Sequence, residues 1–212
     1  MKRLHELQSF LMKEVQPLLD EQCPGSSLHV DIVEDKFLAS KEEKTFILRL
    51  LRGGYENGVP VSVIVMKLYA SVDGFDVVIE SDTIPAQRMK KYNTFLRAVA
   101  LLVATKMRLA REKLSSITSF ASSWISVHLL LQLGFEPTRI IGKKGELQMP
   151  APQRWRDKEF LKQHLSEGKH ATRPTKWALV KLVRKVTNRS QLRREMRHVL
   201  VQDILPRIVC EK

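Results

Sequence analysis

Apolar and polar positions follow two different periods along this chain, and the period changes near Pro85. Leu4, Leu7, Leu11, Leu18 and Leu19 recur at helical spacing and predict a first helix from about Lys2 to Glu21, which Pro17 ends or kinks. After Pro24-Gly25-Ser26-Ser27 the pattern turns to alternation. Leu28–Val33, Thr45–Leu51, Val61–Met66 and a stretch from Phe75 towards Ile84 predict four strands. The turn chemistry of Gly53-Gly54-Tyr55-Glu56-Asn57-Gly58 and Asp73-Gly74 accepts positive φ, so the strands read as an antiparallel meander.

Beyond Pro85 the spacing becomes helical from about Tyr92 to Leu114. Phe95, Leu96, Val99, Leu102, Val103 and Met107 form a wide apolar stripe, which predicts a helix buried on the sheet. Its basic end (Lys106, Arg108, Arg111, Lys113) suits a helix C-terminus. Ser116–Phe120 predicts a short strand. Ser122 or Ser123 caps the helix that follows, and Gly134 stops it after Leu133. Strands are expected at Thr138–Ile141 and Glu146–Met149, around Lys143-Lys144-Gly145. After Pro150-Ala151-Pro152 the pattern predicts helices over Trp155–Glu167 and Lys176–Val186, with Trp177, Val180, Val183 and Val186 on one face, then a last helix capped by Ser190. The expected architecture is an α/β (α+β) fold. It has a mixed, mostly antiparallel sheet flanked by helices over residues 1–150 and a basic helical extension over 151–212.

Composition adds a partner to this picture. At 212 residues and 43% hydrophobic the chain can bury a sizeable core, and its net charge is +13. From Thr138 onward lie 19 of the 36 cationic side chains but only 7 of the 23 carboxylates, so that part carries +12 and the part before it +1. Such asymmetry suits an anionic partner: nucleic acid, an acidic protein or a membrane surface. Lys181, Arg184, Lys185, Arg193, Arg194 and Arg197 are the cations expected to meet phosphates. There is no zinc-finger spacing or RNP signature, which argues against a reader of specific sequences. Cys23 and Cys210, near opposite ends, form no metal or disulfide pattern and read as thiols of a reducing compartment. No leader-like or membrane-spanning run is seen, so an intracellular location, cytoplasmic or nuclear, is expected.

The stretch from about Val61 to Ile141 resembles the GNAT superfamily of N-acetyltransferases. Three features carry this: the order strand, long helix, strand, short helix; the close Leu133-Gly134-Phe135-Glu136-Pro137; and Gln87-Arg88-Met89-Lys90-Lys91-Tyr92-Asn93-Thr94, where that family has its acetyl-CoA signature. The resemblance implies acetyl transfer to an amine from acetyl-CoA lying between the fourth and fifth strands. Arg88 takes the first signature position, Lys91 stands where the first glycine is expected, and Asn93 where the second small residue is. Met89, Lys90, Tyr92 and Thr94 complete the implied phosphate-binding stretch. Asp82, Thr83 and Ile84 would offer their backbone to pantetheine, and Glu80 or Asp82 would take the proton from the amine.

Further along, Ser123 occupies the place of a coenzyme-contacting asparagine. Leu130 occupies that of a tyrosine which in many members protonates the departing thiolate, a role leucine cannot fill. His128, among leucines, reads as a packing residue. The family's usual opening strand and helix pair are replaced by one N-terminal helix. These departures imply an alternative: a non-catalytic GNAT-like module that binds nucleic acid or a larger assembly through its basic C-terminal helices.

Overall fold

The computed structural model describes residues 2–35, 43–53, 57–83, 91–108, 113–167 and 175–210. They fall into two compact units, Met1–Ser115 with Val186–Lys212, and Ser116–Lys185.

The first unit opens with α1 (Lys2–Phe10), a π-helical turn (Leu11–Val15) and α2 (Gln16–Gln22). Leu7, Leu11, Val15 and Leu19 are all buried, so a four-residue apolar step runs through the wide turn. Pro17 sits in the first turn of α2, where its missing N–H breaks no helical hydrogen bond. The meander follows as expected: β1 (Leu28–Asp35), β2 (Glu43–Arg52), β3 (Val59–Ser71) and β4 (Gly74–Thr83) lie side by side in chain order, all antiparallel. Ile32 faces Leu48 and Leu48 faces Ile64 across the ladder, and all three are wholly buried. Buried Asp31 pairs with its cross-strand partner Arg49. The edge of β1 is covered by Gln16, whose side-chain amide donates to Leu28 O and accepts from Val30 N–H. This satisfies backbone groups an open edge would leave free.

Helix α3 (Tyr92–Ala104) packs on β2, β3 and β4, and α6 (Arg189–Val199) packs on α3. The α3 helix is shorter than its apolar stripe suggests. Thr105 Oγ1 turns back to Leu102 O, and Met107 N–H reaches both Val103 O and Ala104 O, so the winding closes there. The last helix is capped by Asn188 rather than Ser190. The Asn188 Oδ1 accepts from the N–H groups of Ser190 and Gln191.

Cys23, at the C-cap of α2, is bonded to Cys210 in a disulfide with Cα atoms 5.3 Å apart. This corrects the expectation of two free thiols and removes the argument for a reducing compartment. The pairing spans 187 residues, and the packing of α2 against the turn Leu205–Arg207 helps bring the two ends together.

The second unit contains β5 (Leu114–Ala121, from Ser116 on), α4 (Trp124–Gln132), β6 (Glu136–Gly142), β7 (Gly145–Leu147), α5 (Lys158–His164) and β8 (Trp177–Lys185). Strand β8 lies between β5 and β6, antiparallel to both. The helix expected over Lys176–Val186 is therefore a strand, and the basic segment is not a helical appendage. Buried Trp177, Val180 and Leu182 face the core. Trp177 and Val180 fit a step of three and Val180 and Leu182 a step of two, and pairing with β5 and β6 decides for strand. A boundary at residue 150 does not follow the packing, because β8 belongs with β5 and β6 while α6 belongs with α3. The helix expected over Trp155–Glu167 is a 3₁₀ turn (Pro152–Arg156) followed by α5, which Asp157 caps at the N–H groups of Glu159 and Phe160. Trp177 packs against Trp155, Phe160 and His164, with ring centroids 5.3, 5.7 and 4.8 Å away.

The α/β class and the mostly antiparallel, helix-flanked sheet are as the sequence implies. The order β4, α3, β5, α4, β6 is that of the GNAT resemblance. Among the described residues no helix is long and apolar enough to cross a membrane.

Candidate functional site

In the first unit, the candidate site is the end of β4 and the start of α3. Along β4, Phe75, Val77 and Ile79 are buried, while Glu80 is half exposed. The Glu80 carboxylate lies 3.5 Å from Lys67 Nζ of β3, within a polar row at the surface. Two residues further on, Asp82 stands opposite Val63, and Thr83, opposite Ser62, ends the strand. Ile84, Arg88, Met89 and Lys90 lie outside the described residues.

Lys91 is the N-cap of α3 and has φ 63° and ψ 12°, the left-handed conformation. Among the described residues it is the one non-glycine residue with positive φ. Lysine pays about 1 kcal/mol or more for this geometry, which glycine adopts freely. The glycine expected at this position is absent, and the backbone shape that glycine permits is present. No side chain caps α3, and its first turn holds no acidic residue. Tyr92, Asn93 and Thr94 thus begin the helix with N–H groups that have no partner within it, where the helix dipole favours an anion. The Tyr92 ring is buried, and its hydroxyl donates to Val209 O beside the disulfide.

A residue not anticipated from the sequence organises this corner. Arg97 is only 5% exposed. Its Nε donates to Asn93 Oδ1 at 3.0 Å and its Nη2 to Ser81 Oγ at 2.5 Å. It ties the first turn of α3 to the last residues of β4 and turns the Asn93 amide along the helix. Burial lowers its pKa to about 10, so the guanidinium still carries its charge at neutral pH. The sequence did hold a signal: an arginine inside the apolar run Phe95-Leu96-Arg97-Ala98-Val99.

In the second unit, Ser123 is the N-cap of α4. Its Oγ accepts from Ser126 N–H and donates to Ser126 Oγ at 3.0 Å, so the capping role accounts for it. Leu130 is buried, with no proton to give where the resemblance wants a tyrosine. His128 is half-buried and hydrogen-bonded to Gln132. Its pKa is lowered by burial and then by the charge of Lys158.

Gly134 ends α4 at φ +78°, with its N–H on Leu131 O and Phe135 N–H on Leu130 O. The Arg184 guanidinium bonds Leu133 O, and a Cβ on Gly134 would meet Arg184 Nη1 at 2.7 Å. Gly134→Ala is expected to cost about 2 kcal/mol, from the left-handed backbone and the displaced guanidinium, read as a lowered midpoint in urea denaturation.

Of the six cations proposed for phosphates, Lys181, Arg184 and Lys185 are on β8 in the second unit, and Arg193, Arg194 and Arg197 are on α6 in the first. Arg184 is engaged at the end of α4. Arg193 bonds both oxygens of Glu14, whereas Arg194 and Arg197 are exposed. Among the described residues no group of three or more His, Cys, Asp and Glu is placed to hold a metal.

No protein-family model matches the sequence, and no curated protein matches it significantly. Among solved structures, the fold is similar to the spermidine N-acetyltransferase of Vibrio cholerae crystallised with CoA and spermine. The TM-score is 0.41 at 10% identity, covering 73% of this chain and 72% of that one. A chimera of the same Vibrio cholerae enzyme with hSSAT gives TM-score 0.41 at 11% identity, covering 74% and 73%. A likeness of this strength fixes neither activity nor substrate.

Proposed function

We propose that this chain is a divergent GNAT-like N-acetyltransferase that moves an acetyl group from acetyl-CoA to an amine. The observation that carries the reading is Lys91. A strained, left-handed lysine caps α3 at the position where the resemblance expects the glycine of a phosphate-binding loop. Strain held at one exposed loop residue marks a position where backbone shape matters more than residue type.

The start of α3 fits a pyrophosphate through the N–H groups of its first turn, the helix dipole and the Lys91 charge. Arg88, Met89 and Lys90 extend the same stretch, and Asp82, Thr83 and Ile84 offer backbone to the pantetheine arm. Bound acetyl-CoA supplies a thioester carbonyl as the acceptor of the amine's lone pair. The part left to the chain is to hold the phosphates and to take the amine proton. Glu80, loosely paired with Lys67 at 3.5 Å, or Asp82 two residues on, takes that proton. With Leu130 in the tyrosine's place, the departing thiolate draws its proton from water or from another residue.

Isothermal calorimetry of the full chain with acetyl-CoA at low salt tests this. Saturable binding is expected, weakened at least tenfold by Lys91→Glu, which puts a carboxylate at the phosphate position. Absence of binding by folded protein would overturn the reading.

A further inference from the structure

A line of cations runs across the first unit where α6 meets the end of α3. On α6, Arg189, Arg193 and Arg197 recur every four residues, a rise of about 6 Å per step, with Arg194 beside them. At the end of α3, Lys106 and Arg193 approach the same Phe10 ring, at 5.2 and 5.6 Å from its centroid. Arg189 lies 5.3 Å from the centroid of Phe75 and donates to Met107 O. The line thus runs from Arg108 through Arg189 and Arg193, with Lys106 alongside, to Arg197. Glu14 takes a bidentate bond from Arg193, and Glu195 accepts from Gln191 on the same helix. Arg189 also has its pKa lowered, first by burial and then by the charge of Arg108, so two cations are held close enough to repel.

The aromatic rings fix the stems of Lys106, Arg189 and Arg193 and reduce the entropy lost when they engage a partner. The chemistry of the surface selects among anionic partners. The apolar face of α6, Leu192 and Met196, continued by Leu200 just beyond it, is buried in the unit, which leaves this helix no greasy face to enter a lipid interface. The exposed large apolar side chains, Met12, Val59, Tyr69, Val72, Ile125 and Val209, all lie off α6 and the end of α3. Among the described residues the line therefore lacks the aromatic or apolar centre on which protein interfaces are built, and it lacks an exposed ring for base stacking. What remains is a row of guanidinium and ammonium groups suited to repeated phosphates.

We propose that this α6–α3 ridge docks the sugar-phosphate backbone of nucleic acid, without reading bases. The ridge replaces the mixed set expected from sequence: Arg193, Arg194 and Arg197 belong to it, and Lys181, Arg184 and Lys185 of β8 do not. The inference is independent of acetyl-CoA binding.

The test is fluorescence anisotropy of the full chain with a labelled mixed-sequence single-stranded RNA and a duplex DNA, over a range of salt. Arg108, Arg194 and Arg197 are changed together to glutamine in one variant, and Lys181 and Lys185 in another. Thermal melts confirm that both fold. The ridge variant is expected to lose at least tenfold in affinity, and its plot of log affinity against log salt to become shallower by about 2–3. The β8 variant stays within twofold. Unchanged affinity of the ridge variant, a loss carried by the β8 variant instead, or binding to phosphatidylserine vesicles but to neither nucleic acid would each overturn the proposal.

Discussion

Cys23→Ser is expected to lower the stability of the first unit by about 2–5 kcal/mol, the range seen when a native disulfide closing a long loop is removed. The Cys23–Cys210 bond closes nearly the whole chain, and in the chain-entropy view the constraint grows with the logarithm of loop length. Cys23 is also buried, so serine there adds a polar atom to an apolar site. Cys210→Ser, which is nearer the surface, separates these terms. If the bond itself is what matters, the double variant costs little more than either single one, a strong non-additivity. Urea denaturation of the oxidised wild type, the wild type in dithiothreitol and the three variants makes the comparison. Two thiols titrating in the folded protein, purified without reductant, would refute the bond. Loss of the tie also frees Val209, whose carbonyl accepts from Tyr92 at the first position of α3. The same reduction is therefore expected to weaken acetyl-CoA binding.

That long closure shows where sequence reasoning reaches its limit. The meander was legible because Leu28–Val33 alternates and the turns at Gly53–Gly58 and Asp73-Gly74 carry glycine, both local signals. The stop of α4 was legible for the same reason: Gly134 adopts the left-handed conformation that its place after Leu133 implies. Local signals failed where two periods overlap. In Trp177–Lys185 both the helical and the strand pattern fit, and the choice was made by pairing with β5 and β6, elements far away in sequence. The disulfide was hidden similarly, since two cysteines at opposite ends carry no spacing information until the fold joins them.

The candidate site was half legible. The resemblance pointed to Lys91, and the missing glycine argued against a phosphate loop there, yet the backbone keeps the left-handed shape. A residue type is not a conformation, and tertiary packing can hold a lysine where propensity prefers glycine. Ser123 shows the converse, a position matched by the resemblance and accounted for by helix capping.

Arg97→Ala is expected to cost about 3–5 kcal/mol, comparable to truncation of any large buried side chain that anchors polar partners. The truncation leaves a cavity between α3 and β4 and takes the donor from Ser81 Oγ and Asn93 Oδ1. The wild-type arrangement is itself costly, because burial lowers the guanidinium pKa to about 10, equivalent to roughly 3 kcal/mol against the charged form. Arg97→Met keeps most of the volume and removes that charge, so its loss should be under about 2 kcal/mol. The pH dependence has a definite sign. Above about pH 10 the folded chain has released a proton that the unfolded chain still holds, so this group's contribution to stability rises with pH there. Below pH 10 both states are charged and the contribution is flat. Arg97→Met abolishes the rise. Urea midpoints at pH 7.5 measure the first two effects, and an Arg97→Ala cost below 1 kcal/mol would show that the arginine is not an anchor. Acetyl-CoA affinity separates anchoring from site positioning. Arg97→Met restores packing without restoring the bonds to Asn93 and Ser81, so affinity should stay low in both variants while stability recovers in only one.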